Sequence, residues 1–183
     1  MEMLNYKPEE NEKDIPEPGI VVNTDEIKNE ILRREKAGAE HLEEAKALIK
    51  ELLSADTEDK KAEIERGINL RMNLINQDIQ MVEKKPIDEE NNERAMDGLK
   101  AATELLEAIR DYLSSGEEGF VNYSRFLSLE LRKKNELPEA EGGSVKVDEV
   151  KRKIEGAIKL ADYFGEDEES VKAIARLKSE IGQ

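Results

Sequence analysis

Apolar residues recur every three to four positions along most of the chain, which is the period of an amphipathic α-helix. The pattern predicts an all-α fold, an antiparallel helical bundle of about six helices, three long and three short. The predicted helices cover residues 24–53, 58–84, 88–115, 120–134, 148–164 and 168–181. Residues 126–132 fit a strand as well, because Leu127, Leu129 and Leu131 alternate with polar residues. We favour a helix there, since no partner strand is evident.

Residues at the ends of the apolar stripes support these bounds. Thr24 and Asp167 are typical N-cap residues, and Gly116 is typical of the position that follows a helix. Gly38 lies in the middle of the apolar face of the first helix. A glycine inside a helix costs about 1 kcal/mol in propensity, so a close helix crossing at Gly38 is expected in compensation.

The chain divides into three parts by composition. Residues 1–22 contain three of the five prolines and show no helical period, which predicts a flexible N-terminal arm. The alternative is a docking segment that packs Ile20, Val21 and Val22. Residues 23–116 form a three-helix body, and residues 117–183 form shorter C-terminal helices that pack on the body as one domain. Residues 135–144 are the best candidate linker.

The second helix has the broadest apolar surface. Its main stripe consists of Ile64, Ile68, Met72, Ile75, Ile79 and Val82. Leu70, Leu74 and Met81 widen this stripe to an arc of roughly 200°, more than packing on one neighbour requires. The helix should therefore be sandwiched between two others or be partly buried in an oligomer. Leu70, Leu74 and Met81 are the candidate partner-binding residues.

Composition limits the possible partners of the protein and its location in the cell. The net charge of −15 disfavours direct binding to nucleic-acid phosphates or to an anionic membrane surface. No apolar run approaches the ~20 residues of a membrane-spanning helix, and no signal peptide is visible at the N-terminus. Cysteine is absent, which fits a reducing compartment, and we infer a cytoplasmic protein.

Candidate chemistry is sparse. The single histidine, His41, stands beside Glu40 and Glu44 at the edge of an apolar face, whereas a ferritin-like di-iron site needs two Glu-x-x-His pairs. We therefore expect a boundary histidine rather than a metal ligand, and no metal, cofactor or catalytic residue.

A group of glutamates offers one weak motif. Glu89, Glu90 and Glu93, followed by Glu104 and Glu107, resemble the glutamate-rich magnesium motif of all-α nucleotide pyrophosphatases. The resemblance covers fewer than about 20 residues, and it would imply magnesium-dependent hydrolysis of nucleotides. Both halves lie on one predicted helix, whereas such a site needs carboxylates that converge from facing helices.

By exclusion, the sequence favours a non-enzymatic helical protein-interaction module, such as an adaptor, a regulator or an assembly protein. Its partner would be another protein or a second copy in a homodimer. The alternative is an acidic DNA mimic that inhibits a nucleic-acid-binding protein, because the acidic excess is greatest in residues 1–60. A magnesium-dependent pyrophosphatase is the weaker alternative.

Overall fold

The computed structural model describes residues 24–84, 87, 89–136, 143–164 and 167–182. Within these ranges the chain forms six helices and no strand, so the predicted all-α fold is confirmed. The helices are α1 (Thr24–Leu53), α2 (Glu58–Lys84), α3 (Glu89–Ser115), α4 (Phe120–Asn135), α5 (Gly143–Ala161) and α6 (Glu168–Ile181). None of the described helices is both long and apolar enough to cross a bilayer. The arm predicted over 1–22 lies outside the described residues.

Helices α1, α2 and α3 pack on one another around a common apolar core. His41 of α1 contacts Asp78 of α2, and Leu48 lies against Gly67, so the two helices run in opposite directions. The apolar stripe of α3, which ends at Leu113, is buried except at that residue. Its buried members are Ala95, Leu99, Ala102, Leu106 and Ile109.

The crossing of α1 and α3 is close, as the glycine in the apolar face of α1 predicts. A Cβ atom built on Gly38 would lie 3.2 Å from the Cα atom of Gly98, and one built on Gly98 would lie 3.2 Å from the Cα atom of Gly38. Two glycines therefore face each other where the two backbones meet. Neither position has room for a side chain unless the helices separate.

A buried arginine lies one turn before this crossing. The Nε atom of Arg34 donates to Glu30 at 2.9 Å, and its Nη1 atom lies 3.5 Å from the Oδ1 atom of Asn92 on α3. Hydrogen bonds from Arg33 and Arg34 lower the pKa of Glu30 to about 2, so this carboxylate stays ionised at acidic pH values where a free glutamate is protonated. Glu30 and Asn92 thus supply hydrogen-bond partners for the charge of Arg34, which is buried on the packed side of α1.

Helices α4, α5 and α6 form a second packed group, which meets the first through α3. A Cβ atom built on Gly156 of α5 would lie 3.1 Å from the Cβ atom of Ala108, so α5 packs closely on α3. Three edge-on or tilted aromatic contacts fill the junction, with ring centroids 5.1 to 5.7 Å apart. The rings belong to Tyr112, Tyr123, Phe120 and Phe164. The division into a body and a C-terminal part stays a prediction.

The structure confirms the predicted end signals at Asp167 and Gly116, whereas Thr24, predicted as an N-cap, is the first residue of α1 itself. The side chain of Asp167 accepts hydrogen bonds from the backbone N–H groups of Glu169 and Ser170 and so caps α6. Thr57 accepts from the N–H group of Lys60 at the start of α2. Gly116 follows α3 with a φ of 68°, a left-handed conformation that favours glycine.

The ambiguous segment is helical. Leu127 and Leu131 are buried, whereas Leu129 between them is 55% exposed, as a helical period requires. The bounds of α5 differ most from the prediction, because the helix begins at Gly143 and ends at Ala161. Part of the predicted linker is therefore helical, and the part over 137–142 lies outside the described residues.

Candidate interaction surface

Leu70, Leu74 and Met81 lie on one face of α2, directed away from the bundle core. The main stripe of α2 is buried at Ile64, Ile68, Ile75 and Val82. In contrast, Leu70 is 61% exposed, Leu74 36% and Met81 42%. At about 100° per residue, the three side chains lie within about 40° of one another around the helix. Packing on α1 and α3 therefore covers the main stripe and leaves the wider part of the arc exposed.

This face is uncharged in a chain of which 40% of the residues are charged. Between Asn69 and Val82 the only charged residues are Arg71 and Asp78. Arg71 forms an ion pair with Glu44 of α1, and the carboxylate of Asp78 lies 2.9 Å from the Nε2 atom of His41 of α1. The other polar side chains of this segment are carboxamides. They are Asn69, Asn73, Asn76, Gln77 and Gln80. Depletion of charge is typical of the buried centre of a protein interface.

One residue of the face was missed by the sequence analysis. Gln77 is exposed and lies between Leu74 and Met81, on the same side of α2 as both. The signal was present in the spacing, because 70, 74, 77 and 81 follow steps of four, three and four residues. A face defined by its apolar residues alone does not include a glutamine. We call Leu70, Leu74, Gln77 and Met81 together the α2 face.

Polar contacts join α2 to α1 on the side of α2 that is directed toward α1. The Nε2 atom of His41 lies 2.9 Å from the Oδ2 atom of Asp78, and its Nδ1 atom lies 3.7 Å from the Oε2 atom of Glu44. Glu44 also pairs with Arg71. His41, predicted at the edge of the apolar face of α1, is buried between the two helices. These contacts hold both charged residues of the 69–82 segment toward α1.

Other exposed large apolar side chains are dispersed over the described surface. They are Leu32 and Leu53 on α1, Leu129 on α4, Val145 on α5 and Val171 on α6. Single exposed apolar residues are normal on a protein surface, whereas several on one face indicate an interaction site. By this criterion α2 is the strongest candidate among the described helices.

The glutamates of the magnesium motif are exposed on α3 and lie in two separate places. Glu89, Glu90 and Glu93 lie in its first two turns, and Glu90 pairs with Arg94. Glu104 pairs with Lys159 of α5, more than ten residues further along. Among the residues that the structure describes, no group of three or more His, Cys, Asp or Glu side chains could hold a metal ion.

Many exposed carboxylates have a cation one helical turn away. Lys46 donates to Glu43 at 2.6 Å, and Lys60 donates to Asp56 at 2.7 Å. The pKa of Glu43 and that of Asp56 are lowered, in each case first because of the hydrogen bond from the lysine. Such pairs place positive charge between neighbouring acidic groups on the helix surface.

A cleft of about 500 Å³ lies between α3 and α5, and charges of both signs line it. Asp111 on its wall is half-buried. Burial raises the pKa of this carboxyl, and Glu149 and Glu130 act in the same direction, whereas Lys153 and Arg110 oppose them. Buried Tyr123 nearby also has a raised pKa, first because of its burial. The charged form of Asp111 is therefore less favourable in the folded protein than in the unfolded chain.

Asp111→Asn should raise the melting temperature at pH 7. The folded pKa of Asp111 lies above its unfolded value, so the ionised carboxylate lowers stability at neutral pH. That cost should shrink as pH falls through the folded pKa and vanish below the unfolded value of about 3.9. Thermal melts of the wild-type protein and the variant, at pH 7 and at low pH, measure the difference in melting temperature. Asp97→Asn, at an exposed position of α3, is the control, and an equal gain there would contradict the prediction.

Comparisons with protein-family models, with curated protein sequences and with solved structures give no match to this chain.

Proposed function

We propose that this chain is a non-enzymatic protein-interaction module that binds its partner through the α2 face. The observation that supports the proposal is the exposure of Leu70, Leu74 and Met81 together on a helix segment with no outward-facing ion pair. An adaptor, a regulator or an assembly protein would use such a surface. The absence of cysteine fits a reducing compartment, so we propose that the protein acts in the cytoplasm.

The chemistry of the α2 face favours a protein partner. Its leucine and methionine side chains gain free energy when they leave water, and the flexible methionine adapts to the shape of an apposed surface. The carboxamides beside them can exchange water for hydrogen bonds across an interface at little cost. A nucleic acid would require cations, and the net charge of −15 opposes it.

The acidic DNA mimic is the alternative function, and the observation that favours it is the same net charge. A mimic would bind a basic cleft through rows of carboxylates, so its affinity would come from charge. The two functions therefore differ in their dependence on salt.

Binding through the α2 face should persist in high salt. The experiment captures proteins on the immobilised chain from a lysate of the source cells at 0.1 M and at 1 M NaCl. Raising the salt shortens the Debye length from about 10 Å to about 3 Å, which weakens charge pairing and leaves apolar burial intact. Proteins retained at 1 M NaCl and lost with Leu70→Glu would support the module.

The matched control reverses exposed charges on α1, with Glu43→Lys and Glu51→Lys in one variant. This variant should retain the captured proteins at both salt concentrations. If the reversal removed them while Leu70→Glu retained them, and if 1 M NaCl released them, the mimic would replace the module.

A further inference from the structure

The spacing of the α2 face is that of a coiled-coil seam. Residues 70, 74, 77 and 81 follow steps of four, three and four residues, which is the alternation of a and d positions in a heptad. Leu70 and Gln77 take d positions, and Leu74 and Met81 take a positions. A seam of this kind is completed by another helix with the same alternation. The α2 face itself has that alternation.

We propose that the partner of the α2 face is the α2 face of a second copy, packed antiparallel about a two-fold axis. This inference rests on the proposed function and names its partner. A two-fold axis between Leu74 and Gln77 places Leu70 against the partner's Met81 and Leu74 against the partner's Gln77. Leu70 and Met81, the apolar residues at the two ends of each seam, therefore contact each other across the interface. Such a contact is self-complementary, as a two-fold dimer requires.

Charges beside the seam favour the antiparallel direction. Arg71 and Asp78 take the two e positions, and antiparallel helices pair e positions with each other. Arg71 therefore lies near the partner's Asp78, with opposite sign, twice in the dimer. Their side chains are 26% and 34% exposed, so each can be reached from outside the bundle. Parallel packing would instead bring Arg66 near the partner's Arg71, a repulsive pair.

Few charged residues lie in the segment 69–82, which allows two chains of net charge −15 to associate through it. At the g positions the antiparallel arrangement sets Asn73 near the partner's Gln80, so carboxamides rather than carboxylates meet there. Direct repulsion is confined to more distant charges, which salt screens. Salt also screens the attraction between Arg71 and the partner's Asp78, so the dissociation constant of the dimer should change little as salt concentration rises.

The absence of cysteine from the chain allows a direct test by disulfide formation. Leu70→Cys and Met81→Cys are prepared as separate variants of different mass and are oxidised alone and mixed. The mixture should form the mixed disulfide, because residue 70 of one copy lies opposite residue 81 of the other. Neither variant alone should cross-link efficiently. Two copies of position 70 stand about 16 Å apart along the antiparallel seam, beyond the reach of a disulfide.

Leu129→Cys, on the exposed side of α4, measures cross-linking by random collision. Efficient cross-linking of each single variant with itself would show parallel packing and overturn the inference. Cross-linking of the mixture at the rate of Leu129→Cys would show that the chain does not pair in this way. In that case proteins captured by the wild-type chain and lost with Leu70→Glu would still support the interaction module with a different partner.

Gln77→Leu provides a second readout that does not depend on oxidation. It replaces the polar residue opposite Leu74 by an apolar one, so the dimer dissociation constant should fall by about tenfold or more. Asn76→Leu adds a similar side chain at an exposed position on the far side of α2 and should leave the constant unchanged. Sedimentation over a concentration series measures both. Equal effects of the two substitutions would contradict the seam.

Discussion

Gly98→Val should lower the free energy of unfolding by about 3 kcal/mol, the upper part of the range for overpacking a tight contact. The Cβ atom of the new residue would lie 3.2 Å from the Cα atom of Gly38 and 3.3 Å from its carbonyl carbon. Both neighbours are backbone atoms, so no side chain can rotate away. Relief requires α1 and α3 to separate, which loosens the apolar core between them. Chemical denaturation followed by circular dichroism measures the change.

Gly67→Ala is the matched control for the milder Gly98→Ala. Both substitutions gain about 1 kcal/mol in helix propensity. The Cβ atom added at Gly67 would meet only the two terminal carbon atoms of the Leu48 side chain, Cδ2 at 3.2 Å and Cδ1 at 4.0 Å, and this end of the side chain can move. Gly67→Ala should therefore be neutral or stabilising, and Gly98→Ala should be destabilising. If both substitutions stabilised the protein, the close crossing of α1 and α3 would be wrong.

Periodicity was sufficient to predict the six helices because each has one side that must leave water. The alternation at Leu127, Leu129 and Leu131 could indicate a strand, but the buried pair four residues apart resolves it as a helix. The start of α5 was missed because glycine and serine at 142–144 resemble a linker in composition. Propensity is a weak guide at such a boundary, where packing of the rest of the helix outweighs it.

The buried polar residues could not be predicted from the sequence. Arg34 and His41 lie on the packed side of α1 because Glu30, Asn92 and Asp78 supply their partners. Asn92 and Asp78 belong to other helices, about 40 to 60 residues away in the chain. A buried polar group is tolerated only where such a partner exists, so tertiary contacts decide the position of both residues.

The candidate site was predicted only in part, again because tertiary contacts decide which residues are buried. An arc of roughly 200° indicates that α2 carries more apolar surface than one neighbour covers, but it does not show which side stays exposed. The structure leaves the Leu70 side exposed and turns Arg71 and Asp78 toward α1. The α2 face is uncharged because the side chains of Arg71 and Asp78 are directed toward α1. His41 and Glu44 of α1 supply the partners that hold them there.

A double variant, Leu70→Glu with Leu74→Glu, should abolish association and leave the monomer folded. Each copy would bring two carboxylates to the centre of an interface, where unpaired charge is strongly unfavourable. In the monomer the same side chains point to water, at 61% and 36% exposure, so the melting temperature should change little. Sedimentation measures association and circular dichroism measures the fold.

Leu129→Glu, which removes a leucine of 55% exposure from α4, controls for the loss of a surface apolar group and the gain of a charge. It should leave association at the wild-type level. Equal weakening by both variants would mean that added negative charge, rather than the α2 face, sets the affinity. Such a result would favour a partner that is sensitive to the overall charge of the chain, and the α2 face would then lose its assigned role.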